Sequence, residues 1–301
     1  METVLISGGS GLVGRRLSLA LEEAGYGIAI LTRNPDQQEH FRNYSWDPDN
    51  NFIDEEAIAG ADYIVHLAGA NLGEKRWTNR RRKEIVDSRI KSGQLLFDLV
   101  KKTSRELKGF ISASAMGYYG SLTSEKIFTE EDPPGTDFAA EVCRLWEAEA
   151  GKFGMAGIRT VIIRAGIVLT PSGGALGKMA AVVRAGLGSP LGSGSQYLPW
   201  IHIDDLCGIY LKALSDSSMK GPYNAVAPDQ RTNREFTRTL AGALHRPFFA
   251  PRVPTPVLKL LYGEMSGMLL RGSRLSAGKI MREGFSFRFP GLKEALEDVL
   301  R

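Results

Sequence analysis

Short apolar runs rich in β-branched residues recur through the first half of this chain, separated by longer stretches whose apolar residues return every three or four positions. The first run, Val4-Leu5-Ile6, enters a glycine-rich turn, and a helix-compatible stretch over residues 15–24 leaves it. Further buried strands are predicted over residues 27–32, 61–70, 109–115 and 160–169, the last as one continuous strand. Residues 84–100 carry Ile85, Ile90, Leu95, Leu96 and Leu99 at helical spacing, and residues 138–152 form a second long helix. The intervening residues 34–60 are polar and turn-rich, with Trp46-Asp47-Pro48-Asp49-Asn50 read as a turn. Strands alternating with helices predict parallel βαβ units in an α/β, doubly wound sheet.

From Thr170 the pattern changes to glycine-rich loops around helices, followed by Trp200-Ile201-His202, a short strand over residues 221–226, and a helix capped by Asn233. The expected organisation is a dinucleotide-binding domain over residues 1–170, to which segments near 200–228 return, and a smaller substrate lobe over residues 171–301.

With 301 residues, 43% of them hydrophobic, the chain can bury a large core. A net charge of +4 suits an anionic cofactor or substrate and falls short of a nucleic-acid signature. The densest basic run, Lys75 through Lys83, is read as a solvated helix face over residues 80–83. Two cysteines make no disulfide framework, the start has no basic leader, and no apolar run approaches a membrane span. The expectation is a soluble cytoplasmic protein with a small-molecule substrate, no nucleic-acid or membrane partner and no metal.

The chemistry begins in the first turn, Gly8-Gly9-Ser10-Gly11-Leu12-Val13-Gly14. Its glycines allow a tight turn, a close approach of backbone to a pyrophosphate, and close packing of helix on strand. The phosphates then meet the free N–H groups and positive dipole end of the helix. The second strand ends in Thr32 and Arg33, with no carboxylate until Asp36. An acid there reads a ribose 2′-OH and a base accommodates a 2′-phosphate, so this end favours NADP. A merely solvated Arg33 is the alternative. Leu67-Ala68-Gly69 lets ribose and phosphates pass close to the backbone, whereas His66, inside an apolar strand, is read as a packed histidine.

Together with His66-Leu67-Ala68-Gly69-Ala70, Asp87-Ser88-Arg89-Ile90, Ser112-Ala113-Ser114-Ala115-Met116-Gly117-Tyr118-Tyr119-Gly120, Ile163-Arg164-Ala165-Gly166 and Pro199-Trp200-Ile201-His202-Ile203-Asp204-Asp205-Leu206, this turn resembles the extended short-chain dehydrogenase/reductase superfamily. More narrowly it is similar to the uncharacterised epimerase/dehydratase-like branch with a distinctive C-terminal region, which Gly284-Phe285-Ser286-Phe287-Arg288-Phe289-Pro290 resembles. The resemblance implies a Rossmann fold and a Ser/Tyr/Lys site in which Tyr is the general acid/base and Lys lowers its pKa. Ser114 matches the serine. No tyrosine here has a lysine four residues later, and in the helix that carries the pair the two positions are Ala139 and Cys143.

Tyr118 and Tyr119 are candidate replacements, with aromatic packing as the alternative. Cys143 is either a reactive thiol or a small buried hydrophobe, and Glu130, Glu131 and Asp132 are either carboxylate donors or a solvated loop. The resemblance also implies that Glu84 and Arg89 face the cofactor, the alternative being a helix salt bridge. It places Trp200 and His202 at the substrate cleft, where a packed Trp and a capping His explain them equally. It further implies a homodimer through the helices at 84–100 and 138–152, whose apolar faces internal packing would bury equally. The functional expectation is an NADP-binding epimerase or oxidoreductase-like protein acting on a small polar, nucleotide-linked molecule, with Ser114 polarising its oxygen. The alternative is a non-catalytic NADP-responsive binding or regulatory protein.

Overall fold

The structure is a computed structural model that describes residues 1–35, 40–103, 106–248 and 251–301; Asp36 lies outside the described residues. In chain order the strands of the central sheet are β1 (Thr3–Ser7), β2 (Gly27–Thr32), β3 (Arg42–Asp47), β4 (Phe52–Ile53), β5 (Tyr63–His66) and β6 (Gly109–Ala115). After β7 (Ile127–Phe128), which lies outside that sheet, follow β8 (Thr160–Ala165), the outlying β9 (Ile167–Leu169) and β10 (Trp200–His202), then β11 (Gly221–Ala225) and the outlying β12 (Arg274–Leu275). The helices are α1 (Leu12–Glu23), α2 (Glu56–Ala59), α3 (Asn79–Thr103), α4 (Phe138–Met155), α5 (Gly174–Arg184), α6 (Ile203–Ser215), α7 (Asn233–Ala243), α8 (Thr255–Tyr262), α9 (Ser266–Leu270), α10 (Gly278–Arg282) and α11 (Leu292–Val299).

The sheet has eight strands in the order β11-β8-β6-β5-β1-β2-β3-β4, parallel except for β4. The chain winds outward from β1 to β4, then returns to β5 on the other side of β1. The connections leaving β1 and β5 therefore diverge and open a crevice at their carboxyl ends, where doubly wound sheets bind ligands.

Strand periodicity explains the layers. Val4 and Ile6 of β1 join Leu17 and Leu21 of α1 and Leu206 and Ile209 of α6 in one core. Leu5, pointing the other way, joins Leu95 and Leu96 of α3 and Phe153 of α4 in a second. Both faces are covered, which is why the parallel strands read as continuous apolar runs. Each such buried side chain contributes about 1.5–3 kcal/mol. A third core, built from Leu169, Trp200, Leu240 and Leu296 among others, underlies the lobe of α5, α7 and α11.

Four expectations are corrected. The strand over 160–169 is two strands, because at Gly166 the chain leaves β11 and Ile167 bonds Pro199 instead; a Cβ on Gly166 would lie 2.7 Å from the Pro199 carbonyl oxygen. Trp46 and Asp47 belong to β3, and the turn follows them. The α7 cap is Thr232, in a reciprocal capping box with Glu235 that satisfies two free N–H groups, whereas Asn233 is buried and its side-chain oxygen accepts the Leu191 N–H at 2.7 Å. The basic run is not uniformly solvated: Arg81 is buried and ion-paired with Glu74 and Glu84. Among the described residues no helix is long and apolar enough to cross a membrane.

Candidate functional site

The glycine turn sits at the mouth of the β1/β5 crevice. Gly8 adopts φ +76° with no room for a side chain: a Cβ would lie 2.9 Å from the Ala68 nitrogen. One on Gly14 would lie 2.3 Å from the Gly8 carbonyl oxygen, so only glycine lets α1 start this close to the strand. The first turn of α1 has no side-chain cap and no acidic residue, leaving its N–H groups and positive dipole end open to an anion. Ser10 and Gly11 are exposed, and Leu12 and Val13 are half-buried.

Next to this turn, Thr32 and Arg33 end β2. Thr32 is buried and its hydroxyl accepts the Asn34 N–H at 3.2 Å, while Arg33 is exposed and has no ion-pair partner among the described residues. Leu67, Ala68 and Gly69 form the far lip, half-buried to exposed. Below them His66 lies between Ser7, at 2.6 Å from Nδ1, and Ser92, at 3.3 Å from Nε2. Burial, with the charge of Arg89, pushes its pKa down to about 3, so it is a neutral packed residue.

Arg89 lies under Gly69, whose Cβ would stand 2.9 Å from the guanidinium carbon. Its Nη1 donates to the carbonyls of Ala70 at 3.1 Å and Ile85 at 2.9 Å, its plane faces Trp146 at 4.6 Å, and its buried Nε has no acceptor. Burial pushes its pKa down to about 10, so it stays cationic at neutral pH. Glu84 is exposed and pairs with Arg81 at 2.7 Å.

Ser114, Tyr118 and Tyr119 converge on one ion pair, Arg164 with Glu147. Ser114 donates to Glu147 at 2.6 Å, and Glu147 is held by Nε and Nη2 of Arg164, both at 2.8 Å. Arg164 Nη1 donates to the Tyr119 hydroxyl at 2.9 Å, and the guanidinium carbon lies 3.4 Å from the Tyr118 ring centroid. The Tyr119 hydroxyl donates to Asn224 at 2.7 Å, while the Asn224 N–H donates to Glu130 at 2.8 Å. Burial opposes the Arg164 charge, but its bonds to Glu147 outweigh that and hold its pKa above the ordinary value. Burial pushes Tyr119 up to about 12. Sequence reasoning missed Glu147 and Arg164; the available signal was an arginine inside the apolar run Val161-Ile162-Ile163-Arg164, which demands a buried counter-charge.

A cavity of about 170 Å³ opens between the carboxyl ends of β6 and β8 and the segment around α9. Ala139 and Cys143 line it, so the positions of the absent Tyr and Lys are open space bounded by small side chains. Arg89, Tyr119, Trp146, Met268 and Arg271 also contribute to its wall. Cys143 is buried, with its pKa pushed up to about 12 by burial and the Glu147 charge, which makes it a protonated apolar residue at neutral pH. Asp132 is tied to Lys126 and to the Thr129 N–H, and Glu131 is exposed.

Trp200 and His202 take core positions and lie outside the cavity wall. The Trp200 ring is fully buried and donates to the Asp229 carbonyl at 2.9 Å. His202 accepts the Asp204 N–H through Nδ1 as the cap of α6, and its ring stacks on Phe289 at 3.8 Å. The alternation at Phe285-Ser286-Phe287-Arg288-Phe289 serves the same packing, with Asp205 accepting the N–H groups of Arg288 and Phe289.

Comparison with known proteins bears on this geometry. The model of the NAD dependent epimerase/dehydratase family matches residues 4–226, and that of a domain of unknown function, DUF1731, matches residues 253–299. The human epimerase family protein SDR39U1 is 35% identical over 303 residues, an alignment covering 99% of each chain. The chloroplastic SDR39U1 homolog of Arabidopsis thaliana is 36% identical over 306 residues, covering 99% of this chain and 87% of that protein. A crystal structure of human SDR39U1 (isoform 2) with NADPH superposes with a TM-score of 0.86 at 33% identity, covering 99% of both chains.

Proposed function

The chain belongs to the NAD dependent epimerase/dehydratase family, and on that premise we propose that it binds NADP(H) in the β1/β5 crevice and acts as an oxidoreductase on a small molecule held in the adjoining cavity. The observation that carries the cofactor reading is Arg33, an exposed cation just past β2 with no ion-pair partner among the described residues, close to the uncapped start of α1. The NADPH bound by the human relative supports it.

The residues present fit the group. The free N–H groups at Leu12 and Val13 take the diphosphate, while the Gly11 N–H closes the turn on the Gly8 carbonyl at 3.0 Å; Gly8 and Gly14 give clearance, and Arg33 with Thr32 takes the 2′-phosphate. Leu67, Ala68 and Gly69 flank the ribose. Glu84 acts at one remove by fixing Arg81. When bound, the nicotinamide supplies a hydride donor or acceptor.

Ser114, Tyr118 and Tyr119 act in this reading as positioning residues. Their polar atoms or rings are engaged by the Arg164–Glu147 pair, which holds the carboxyl ends of β6 and β8 at the cavity. A non-catalytic NADP(H)-responsive binding protein is the second reading. It is favoured by Ala139 and Cys143 in place of the acid/base pair, and by the high pKa values, both about 12, of Tyr119 and Cys143.

Calorimetric titration with NADPH and NADH tests the cofactor reading, which predicts a preference for NADPH. Stereospecific deuterium transfer from labelled NADPH to a panel of carbonyl compounds separates the two functions. Transfer establishes the oxidoreductase; tight binding with no transfer to any compound establishes the binding protein.

A further inference from the structure

We propose that the cavity over Ala139 and Cys143 binds a small organic carboxylate with an apolar body, its anionic group paired with Arg89 and its body lying against Trp146. The proposal deepens the oxidoreductase reading above and rests on it for the function of the bound molecule, though not for the binding itself.

The charge argument starts from two arginines on α3. Arg81 is buried and matched by Glu74 at 3.0 Å and Glu84 at 2.7 Å. Arg89, two turns further on, is only 6% exposed and has no carboxylate partner among the described residues. Two backbone carbonyls pin Nη1, Nε is enclosed without an acceptor, and Nη2 donates to no described residue. A buried cation left unpaired is costly, and the low-dielectric surroundings that make it so also strengthen its attraction for an incoming anion. Among the described residues no acidic side chain lines the cavity to compete for it. Arg271, exposed on the opposite wall, adds a second positive charge.

Shape and polarity supply the rest. The volume of about 170 Å³ exceeds that of an engineered apolar cavity of about 150 Å³ that holds benzene. Met116, Val142, Met268 and Leu275 surround it, and the small side chains at 139 and 143 create the space. The dinucleotide's phosphates have their own partners at the start of α1 and at Arg33, which leaves Arg89 for a second anion.

The test is calorimetric titration of the NADPH-saturated protein with 3-phenylpropanoate, its neutral amide 3-phenylpropanamide, and acetate. The acid is expected to bind at least about 10-fold tighter than the amide or acetate, as a charge-assisted contact plus apolar burial requires. Arg89→Met, titrated at saturating NADPH, is expected to remove that preference; Ala139→Leu is expected to block the acid with Arg89 intact. Equal binding of acid and amide, no binding of the acid, or acid binding unchanged in Arg89→Met overturns the proposal. So does competition between the acid and NADPH, which assigns Arg89 and the cavity to the dinucleotide. If the wild type binds neither dinucleotide, the cofactor reading fails, and the same titrations on the protein alone still decide the carboxylate site.

Discussion

Arg164 grips Glu147 through two parallel contacts of 2.8 Å, Nε to one carboxylate oxygen and Nη2 to the other, with both side chains almost fully enclosed. The pair ties β8 to α4 and gathers Ser114, Tyr118 and Tyr119 around it. Removing one partner leaves a buried charge unmatched, so Glu147→Ala is expected to cost about 3–5 kcal/mol. Urea denaturation checks this; a loss below about 1 kcal/mol means water reaches Arg164 and the enclosure described here is wrong.

Arg33→Ala is expected to weaken NADPH binding about 10- to 100-fold, the worth of one or two hydrogen bonds to a charged group, and to leave NADH binding nearly unchanged. Equal losses for both dinucleotides would place Arg33 on a phosphate they share.

His66 predicts an acid limb in the stability curve. Unfolded, its imidazole titrates near 6.5, whereas in the folded chain it resists protonation until about 3. Between those values only the unfolded state takes the proton. The stability from neutral His66 is therefore complete above pH 6.5 and is lost as pH falls towards 3, at about 1.4 kcal/mol per pH unit. Denaturation midpoints of the wild type and His66→Gln between pH 4 and 7 measure it, and the variant is expected to lose that part of the slope.

Cys143 and Cys207 are both buried, and burial pushes each thiol up to about 12. At pH 8 neither is expected to react with a disulfide reagent while the chain is folded, and both react once it is unfolded. Rapid modification of the native protein that is lost in Cys143→Ala would show that Cys143 is open to the cavity as a nucleophile.

Local pattern carried the framework. The β-branched runs marked β1, β2, β5 and β6, and the helical spacing of Leu95, Leu96 and Leu99 marked α3, because strand and helix periodicity is written into neighbouring residues. The glycine turn was equally legible, since at Gly8 and Gly14 backbone clearance restricts the residue type. Even the missing acid/base pair could be read, as a four-residue spacing on one helix. What adjacent sequence could not convey was pairing across distance. The exchange of strand partners at Gly166 depends on Pro199, and the charge balance of Arg164 depends on Glu147, seventeen positions away in sequence order. For Trp200 and His202 the sequence left cleft and packing equal, and only the fold shows the Trp200 ring bonded to the Asp229 carbonyl and the His202 ring stacked on Phe289. Arg81 and Arg89 share a helix and a residue type, yet one is neutralised and the other faces a cavity. Only the tertiary structure separates them, because a buried charge is defined by what the rest of the chain brings within a few ångströms of it.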